Sequence, residues 1–348
     1  MGLPEKIETR LFINGEFVES SNGKTFDIIN PATLKLVAKV HEASEQDTDN
    51  AVAAAKAAFP AWSKLTPDQR GQYFKKLASL IRENNDELAA LEASSMGRPI
   101  GEFFDAYASA AKWDRYAEAG YSVQGVINII TGFGNVSGSI LSHHMDVRAL
   151  SFTGSSRTGR LIQAAAAKSN MKQVFLELGG KSPAVIFEDA DLEKAVKETA
   201  HSIQWNSGQV CMANSRIYVQ DTVADKYIEL FKQNFEKEVK MGDPLDAREN
   251  GVNHGPQADE AQHKTVLQYL ESGKQSGGEL LTGGGAPSGR EGYYIEPTIF
   301  KNTPEDAKIM KEEIFGPVVN INVFKTEDEV LAKANATEFV SRSLAWPS

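Results

Sequence analysis

Short strand-like runs alternate with longer helix-like ones over most of this chain, and no other feature of its 348 residues narrows the fold as far. After Gly125 the order reads "VINIITG", "VSGSILSHH", "ALSFTGSSRTGRLIQAAAAK" and "QVFLELGGKSPAVIFEDADLEKAVKETAHS". A tight hairpin cannot join parallel strands; each pair needs a crossover of about a dozen residues or more, usually a helix. The alternation therefore predicts an α/β fold, a parallel sheet covered by helices. It persists from "SRIYVQ" through "TVADKYIELFKQNFEKEV" to the strand "PVVNINVF". Between these, "SGGELLTGGGAPSGREG" reads as a surface loop by its glycines.

The first 120 residues have another texture. "LFINGEFVES" alternates around Asn14-Gly15, the dipeptide best suited to the positive φ angles of a two-residue turn, so an antiparallel ribbon opens the chain. Ser44, with Asp47 three residues on, caps an Ala-rich helix; Thr66, Pro67 and Gln69 start a second one by the same logic. A further helix is expected from about Gly101 to Ala119.

Charge and cysteine content narrow the function. Net charge is −10 and no run of Lys and Arg stands out, so nothing electrostatic favours nucleic acid or an anionic membrane as partner. No stretch approaches the roughly 20 apolar residues of a membrane span. The opening "MGLPEKIETRLFINGEF" has neither an apolar signal core nor an amphipathic leader. Cys211 is the only cysteine, which rules out an internal disulfide and fits a reducing compartment. A cytoplasmic protein acting on a small molecule is the expectation.

Four motifs carry candidate chemistry, and each has two readings. In "SFTGSSRTGRLIQ", Gly154 and Gly159 flank Ser155, Ser156, Arg157 and Thr158 at a strand-to-helix turn. Open N–H groups and the positive helix end suit a phosphate there, but an ordinary turn uses the same glycines. Glu177 in "FLELGGKSP" ends an apolar strand, as a solvated carboxylate or as a general base. Cys211 in "GQVCMANSR" is a buried filler or, in a loop with N–H groups near it, a nucleophilic thiolate. Glu312 and Glu313 in "KEEIFGPVV" stand at a helix end before a Phe-Gly-Pro turn, a place where acids are usually solvated. The histidines, His41, His143, His144, His201, His254 and His263, show no zinc spacing and no tie to Cys211, so no metal is expected.

Taken together, "FTGSSRTG", "LELGGKSP", "GQVCMANSR" and "EEIFGPVV", in this order and at these separations, resemble the aldehyde dehydrogenase superfamily. The likeness extends over most of the chain, through "LFINGEFV", "INPAT" and "AAAKAAF". It implies a Rossmann-like parallel-sheet domain for a dinucleotide beside an α/β catalytic domain. It implies, too, that Cys211 attacks an aldehyde to give a thiohemiacetal, that hydride passes to the nicotinamide of NAD or NADP, and that Glu177 activates water against the resulting thioester. By the same resemblance Gly154 to Gly159 hold the cofactor, with Ser155 near its pyrophosphate. Glu313 would hold the nicotinamide ribose and Phe315 would flank the nicotinamide pocket.

The sequence departs from that family in two places. Between "AKWDRYAEAG" and "VINIITG", relatives carry a long segment with two more parallel strands, an Asn that stabilises the oxyanion, and a Lys and Glu that grip the adenosine ribose; here "YSVQGVINIITG" runs straight through. After "VLAKANATEF" the tail "VSRSLAWPS" has no family counterpart, and the terminal strand through which the family forms homo-oligomers is missing. Gln204, where an apolar residue is common, is a smaller departure. Two incomplete domains are therefore expected, 1–180 with the ribbon, helices and cofactor sheet, and 181–348 with the catalytic part. The expected activity is aldehyde oxidation, and the alternative is an impaired or inactive relative.

Overall fold

The computed structural model describes residues 3–118, 127–339 and 344–346. The chain divides into two compact units, one of Met1–Ile29, Leu36–Leu91 and Phe103–Leu178, the other of Asn30–Lys35, Glu92–Glu102 and Gly179–Ser348. Two upstream segments thus group with the second unit, which a single boundary at 180 leaves out.

The first unit opens with β1 (Leu11–Ile13) and β2 (Glu16–Val18), antiparallel, with Asn14 and Gly15 at φ 55° and 81° between them. A second ribbon joins β3 (Thr25–Ile29) to β4 (Leu36–His41). Helix α1 (Glu45–Ser63) starts at a reciprocal box: the Ser44 hydroxyl accepts the Asp47 N–H, and the Asp47 carboxylate accepts the Ser44 N–H. Thr66 and Gln69 do the same for α2 (Pro67–Glu83). After α3 (Asn85–Met96), the helix expected from Gly101 is split into a 3₁₀ turn, Ile100–Glu102, and α4 (Asp105–Glu118). Phe74 of α2 meets Trp113 of α4 with ring centroids 5.2 Å apart, a contact of the kind that pins two helices.

One expectation fails here. "VINIITG" is not a strand of the parallel sheet: Ile129 exchanges two 2.9 Å backbone bonds with Phe12 of β1, and Thr131 bonds to His41 and Ala43. Those backbone groups are thus paired with the N-terminal ribbons rather than with a parallel neighbour. The junction at "YSVQGV" overlaps residues 119–126 and so lies outside the described residues. Beyond it come α5 (Ser139–His143), then β5 (Ala149–Gly154), α6 (Ser156–Lys168) and β6 (Gln173–Leu178), a right-sized crossover between two parallel strands. Among the described residues this sheet has two strands, and Phe175 of β6 is 52% exposed.

The second unit is the larger sheet. It comprises β7 (Pro183–Ile186), α7 (Leu192–Gln204), β8 (Arg216–Gln220), α8 (Ala224–Glu238), α9 (Ala247–Asn250), α10 (Glu260–Gln275), β9 (Glu279–Thr282), β10 (Thr298–Lys301), α11 (Lys308–Lys311), β11 (Val318–Phe324), α12 (Glu327–Ala334) and β12 (Leu344–Trp346). The strand order is β12-β7-β8-β11-β10-β9, parallel throughout except for β9. The glycine-rich stretch is therefore not all loop: "ELLT" within it forms the antiparallel edge, with Glu279, Leu280 and Thr282 opposite Lys301, Phe300 and Ile299 of β10. The tail supplies the opposite edge, β12 against β7.

Burial on both faces marks the middle strands. Ala184, Ile186, Ile217, Val219, Val319 and Ile321 point to one side, and Val185, Tyr218 and Phe324 to the other. Helix α8 meets the first side with Tyr227, Phe231 and Phe235, one helical turn apart, whose rings stack at 5.9 and 5.2 Å. Each such side chain is worth about 1.5–3 kcal/mol of burial, enough to make this sheet a rigid platform for the loops at its strand ends.

Candidate active site

The loop that carries Cys211 is built by a run of backbone that ordinary residues avoid. Helix α7 ends at Gln204, whose side chain donates to the Phe235 carbonyl at 3.0 Å and so gains a partner that an apolar residue would not have. Asn206, Ser207 and Gly208 follow with φ of 48°, 52° and 74°. For Asn and Ser this left-handed region costs about 1–2 kcal/mol each and persists only where neighbours hold it. Here they do. The Ser207 hydroxyl donates to the Gly255 carbonyl at 2.7 Å, Gln257 donates to the Ser207 carbonyl at 3.3 Å, and Gln209 accepts the Ala258 N–H at 2.8 Å. Gly208 is forced, since a Cβ there would run into the Gly316 carbonyl. Cys211 then stands exposed, the chain behind it secured by Asn214, which donates its N–H to the Ser202 hydroxyl at 3.0 Å before β8 begins.

Two glycines bring a second loop against it. A Cβ on Gly180 would strike the Cys211 carbonyl, and one on Gly179 would strike the Glu313 carboxylate. That carboxylate accepts the Gly180 N–H at 3.1 Å. Burial pushes the Glu313 carboxyl up, against the pull of that N–H and of Lys181. Lys181 itself is fully buried and its ammonium is pushed down to about 7 by burial and by Arg216, with Glu313 and Glu312 opposing. The solvated acid expected at this helix end is thus half-buried, because the two glycines leave room for it. Phe315, at φ 56°, is held by Gln262 of α10, which donates to its carbonyl at 2.8 Å. A shallow open cleft is lined by Gly180, Val210, Ser215, Glu313, Phe315 and Gly316.

The structure therefore brings Cys211, Glu313 and Phe315 to one end of the second unit. The other candidates lie in the first unit. Glu177 is exposed near the end of β6, paired across to Thr153 of β5. Gly154 closes β5; Ser155 is the cap of α6, its hydroxyl accepting the Thr158 N–H at 3.3 Å, and leaves the first-turn amides of Ser156 and Arg157 without helical acceptors. Gly159 faces the sheet, where a Cβ would press on Leu178 at 3.0 Å. Sequence reasoning missed Lys181, although it stands inside the "LELGGKSP" motif. It also missed Glu102, whose carboxylate accepts the Asn206 N–H at 3.3 Å from 104 positions away, a separation that leaves no signal. Among the described residues no cluster of His, Cys, Asp and Glu could hold a metal ion, and no helix is long and apolar enough to cross a membrane.

Comparison with known proteins adds the wider frame. The profile of the aldehyde dehydrogenase family matches residues 17–124 and 117–347. An aldehyde dehydrogenase of Davidiella tassiana is 38% identical over 408 aligned positions, covering 95% of this chain and 81% of the relative. That alignment is longer than the chain, so some of the relative's positions face no residue here. An aldehyde dehydrogenase from Pseudomonas aeruginosa superposes with a TM-score of 0.92 at 32% identity, covering 99% of this chain and 85% of that one. An indole-3-acetaldehyde dehydrogenase from P. syringae, solved as a complex with NAD+ and IAA, does so with a TM-score of 0.92 at 31% identity and the same coverage.

Proposed function

The chain belongs to the aldehyde dehydrogenase family, and from that premise we propose that it oxidises an aldehyde to a carboxylic acid with NAD or NADP, using Cys211 as nucleophile and Glu177 as general base. The observation that carries the reading is the Cys211 loop: an exposed cysteine three residues after a left-handed turn whose strain is held by a buried polar network. Strain of this kind concentrates at sites where a group must be presented in one orientation.

The chain's residues would act as follows. The Cys211 thiolate attacks the carbonyl carbon, forming the C–S bond and placing negative charge on oxygen. The dinucleotide, when bound, supplies the hydride acceptor that turns the adduct into a thioester. Glu177 takes a proton from water as its oxygen adds to the thioester carbon, and the thiolate leaves with its electron pair. The carboxylic acid departs and Cys211 is restored.

The residues present fit such a cofactor on one side. The α6 N-terminus, with Ser155, Ser156 and Arg157, suits a pyrophosphate, and the Glu313 carboxylate, seated over Gly179, suits ribose hydroxyls. The adenosine side is thinner, since β5 and β6 form a two-stranded sheet among the described residues. That observation, with an alignment longer than the chain, favours a second reading in which redox turnover is slow. Loss of one oxyanion donor alone costs about 100–1000-fold in turnover. Cytosolic residence is proposed from the lone cysteine.

A panel of aldehydes with each dinucleotide should show reduced nicotinamide forming with the native chain and none with Cys211→Ala. Equal rates in the two proteins would remove Cys211 from the chemistry.

A further inference from the structure

The left-handed turn before Cys211 has an anchor that no sequence motif announces. Glu102 ends the 3₁₀ turn Ile100–Glu102 and reaches Asn206, the first residue of that turn, at 3.3 Å. The same segment grips the turn a second time: the Arg98 guanidinium lies 5.2 Å from the Trp205 ring centroid, and Arg98 donates to the Glu102 carbonyl at 3.0 Å. Asn206 is a non-glycine residue at φ 48°, so something must keep it there, and its own side chain faces forward to the Gln209 carbonyl. The acceptor of the Asn206 N–H is the Glu102 carboxylate.

We propose that Glu102 is a positioning residue for Cys211: by accepting the Asn206 N–H it fixes the left-handed conformation of Asn206 and Ser207, and with it the direction from which the thiol is presented. The carboxylate acts through the backbone N–H of Asn206, five residues upstream of Cys211. Burial pushes the Glu102 carboxyl up to about 7, against the pull of the Asn206 N–H and of Arg98. The inference rests on the reading of Cys211 as nucleophile for its functional meaning, and its structural content is tested separately.

Because Cys211 is the only cysteine, alkylation by iodoacetamide reports on it alone. The full chain is compared with Glu102→Ala, Glu102→Gln and Glu102→Met, following both the alkylation rate and amide exchange across residues 203–211. Glutamine keeps an acceptor oxygen; methionine fills the volume without one, and carries the test should the alanine variant not fold. Losing the acceptor should slow alkylation about tenfold in the alanine and methionine variants and raise exchange across the turn, with glutamine within about threefold of native. Asn206→Gly, free to adopt the left-handed region, should recover part of the rate in the Glu102→Met background. Unchanged exchange and rate in Glu102→Met would overturn the inference. Raised exchange in that variant, with a native thiol no faster than a free one, would uphold the anchor and remove the nucleophile reading.

Discussion

Glu102 also gives the site its clearest pH signature. Its carboxyl rises from 4.5 to about 7 on folding, so between those values the folded chain holds a proton that the unfolded chain has lost. Its stabilising contribution is therefore complete below 4.5 and is lost as pH rises through about 7. His254 runs the other way: burial pushes its imidazole from 6.5 down to about 4, and its contribution is lost as pH falls through that range. The readout is accordingly the difference between proteins. Denaturant midpoints from pH 5 to 8 should fall less steeply with pH in Glu102→Gln than in the native chain, and parallel curves would contradict the assignment. At this scale Cys211, Glu313 and Phe315 could be singled out from the sequence because each sits in a short motif that resembles the family's. Glu102 could not, since what matters is a backbone N–H 104 positions away.

Elements were legible where their signals are local. Both capping boxes and the Asn14-Gly15 turn are settled by four-residue patterns, and the structure shows each of them. β9 and the "VINIITG" bridge were misread for the opposite reason: glycine content and apolar runs say nothing about which edge is on offer. Arg216 shows how such long-range choices are held. Fully buried in β8, it donates to the Lys181 carbonyl from Nε and Nη2 at 3.0 and 2.8 Å, and to the Lys333 and Ala334 carbonyls at 3.1 and 2.9 Å. One guanidinium thus ties the glycine loop to the C-terminal end of α12, where a cation also suits the helix dipole. Arg216→Met should lower stability by about 3 kcal/mol or more, because buried carbonyls lose their donors. Arg216→Lys should recover little, since a point charge cannot satisfy three carbonyls in a fixed fork. A urea midpoint for the lysine variant equal to native would show that charge alone suffices.

The whole molecule pairs a broad, doubly covered sheet in one unit with a narrow parallel pair in the other. Strand-helix alternation made the α/β class and the parallel order readable, because crossover length is a local property of the sequence. The two short segments that group with the second unit were not readable, as no composition shift marks them. The central proposal is that an acyl group is made on Cys211 and removed by Glu177. The direct measurement is the intact mass of Glu177→Gln after incubation with an aldehyde and a nicotinamide dinucleotide, followed by mapping of the modified peptide. A thioester-sized increase confined to the peptide containing Cys211, persisting in the variant and cleared in the native chain, is the predicted result. An unmodified Cys211 under conditions where the dinucleotide is reduced would contradict the claim.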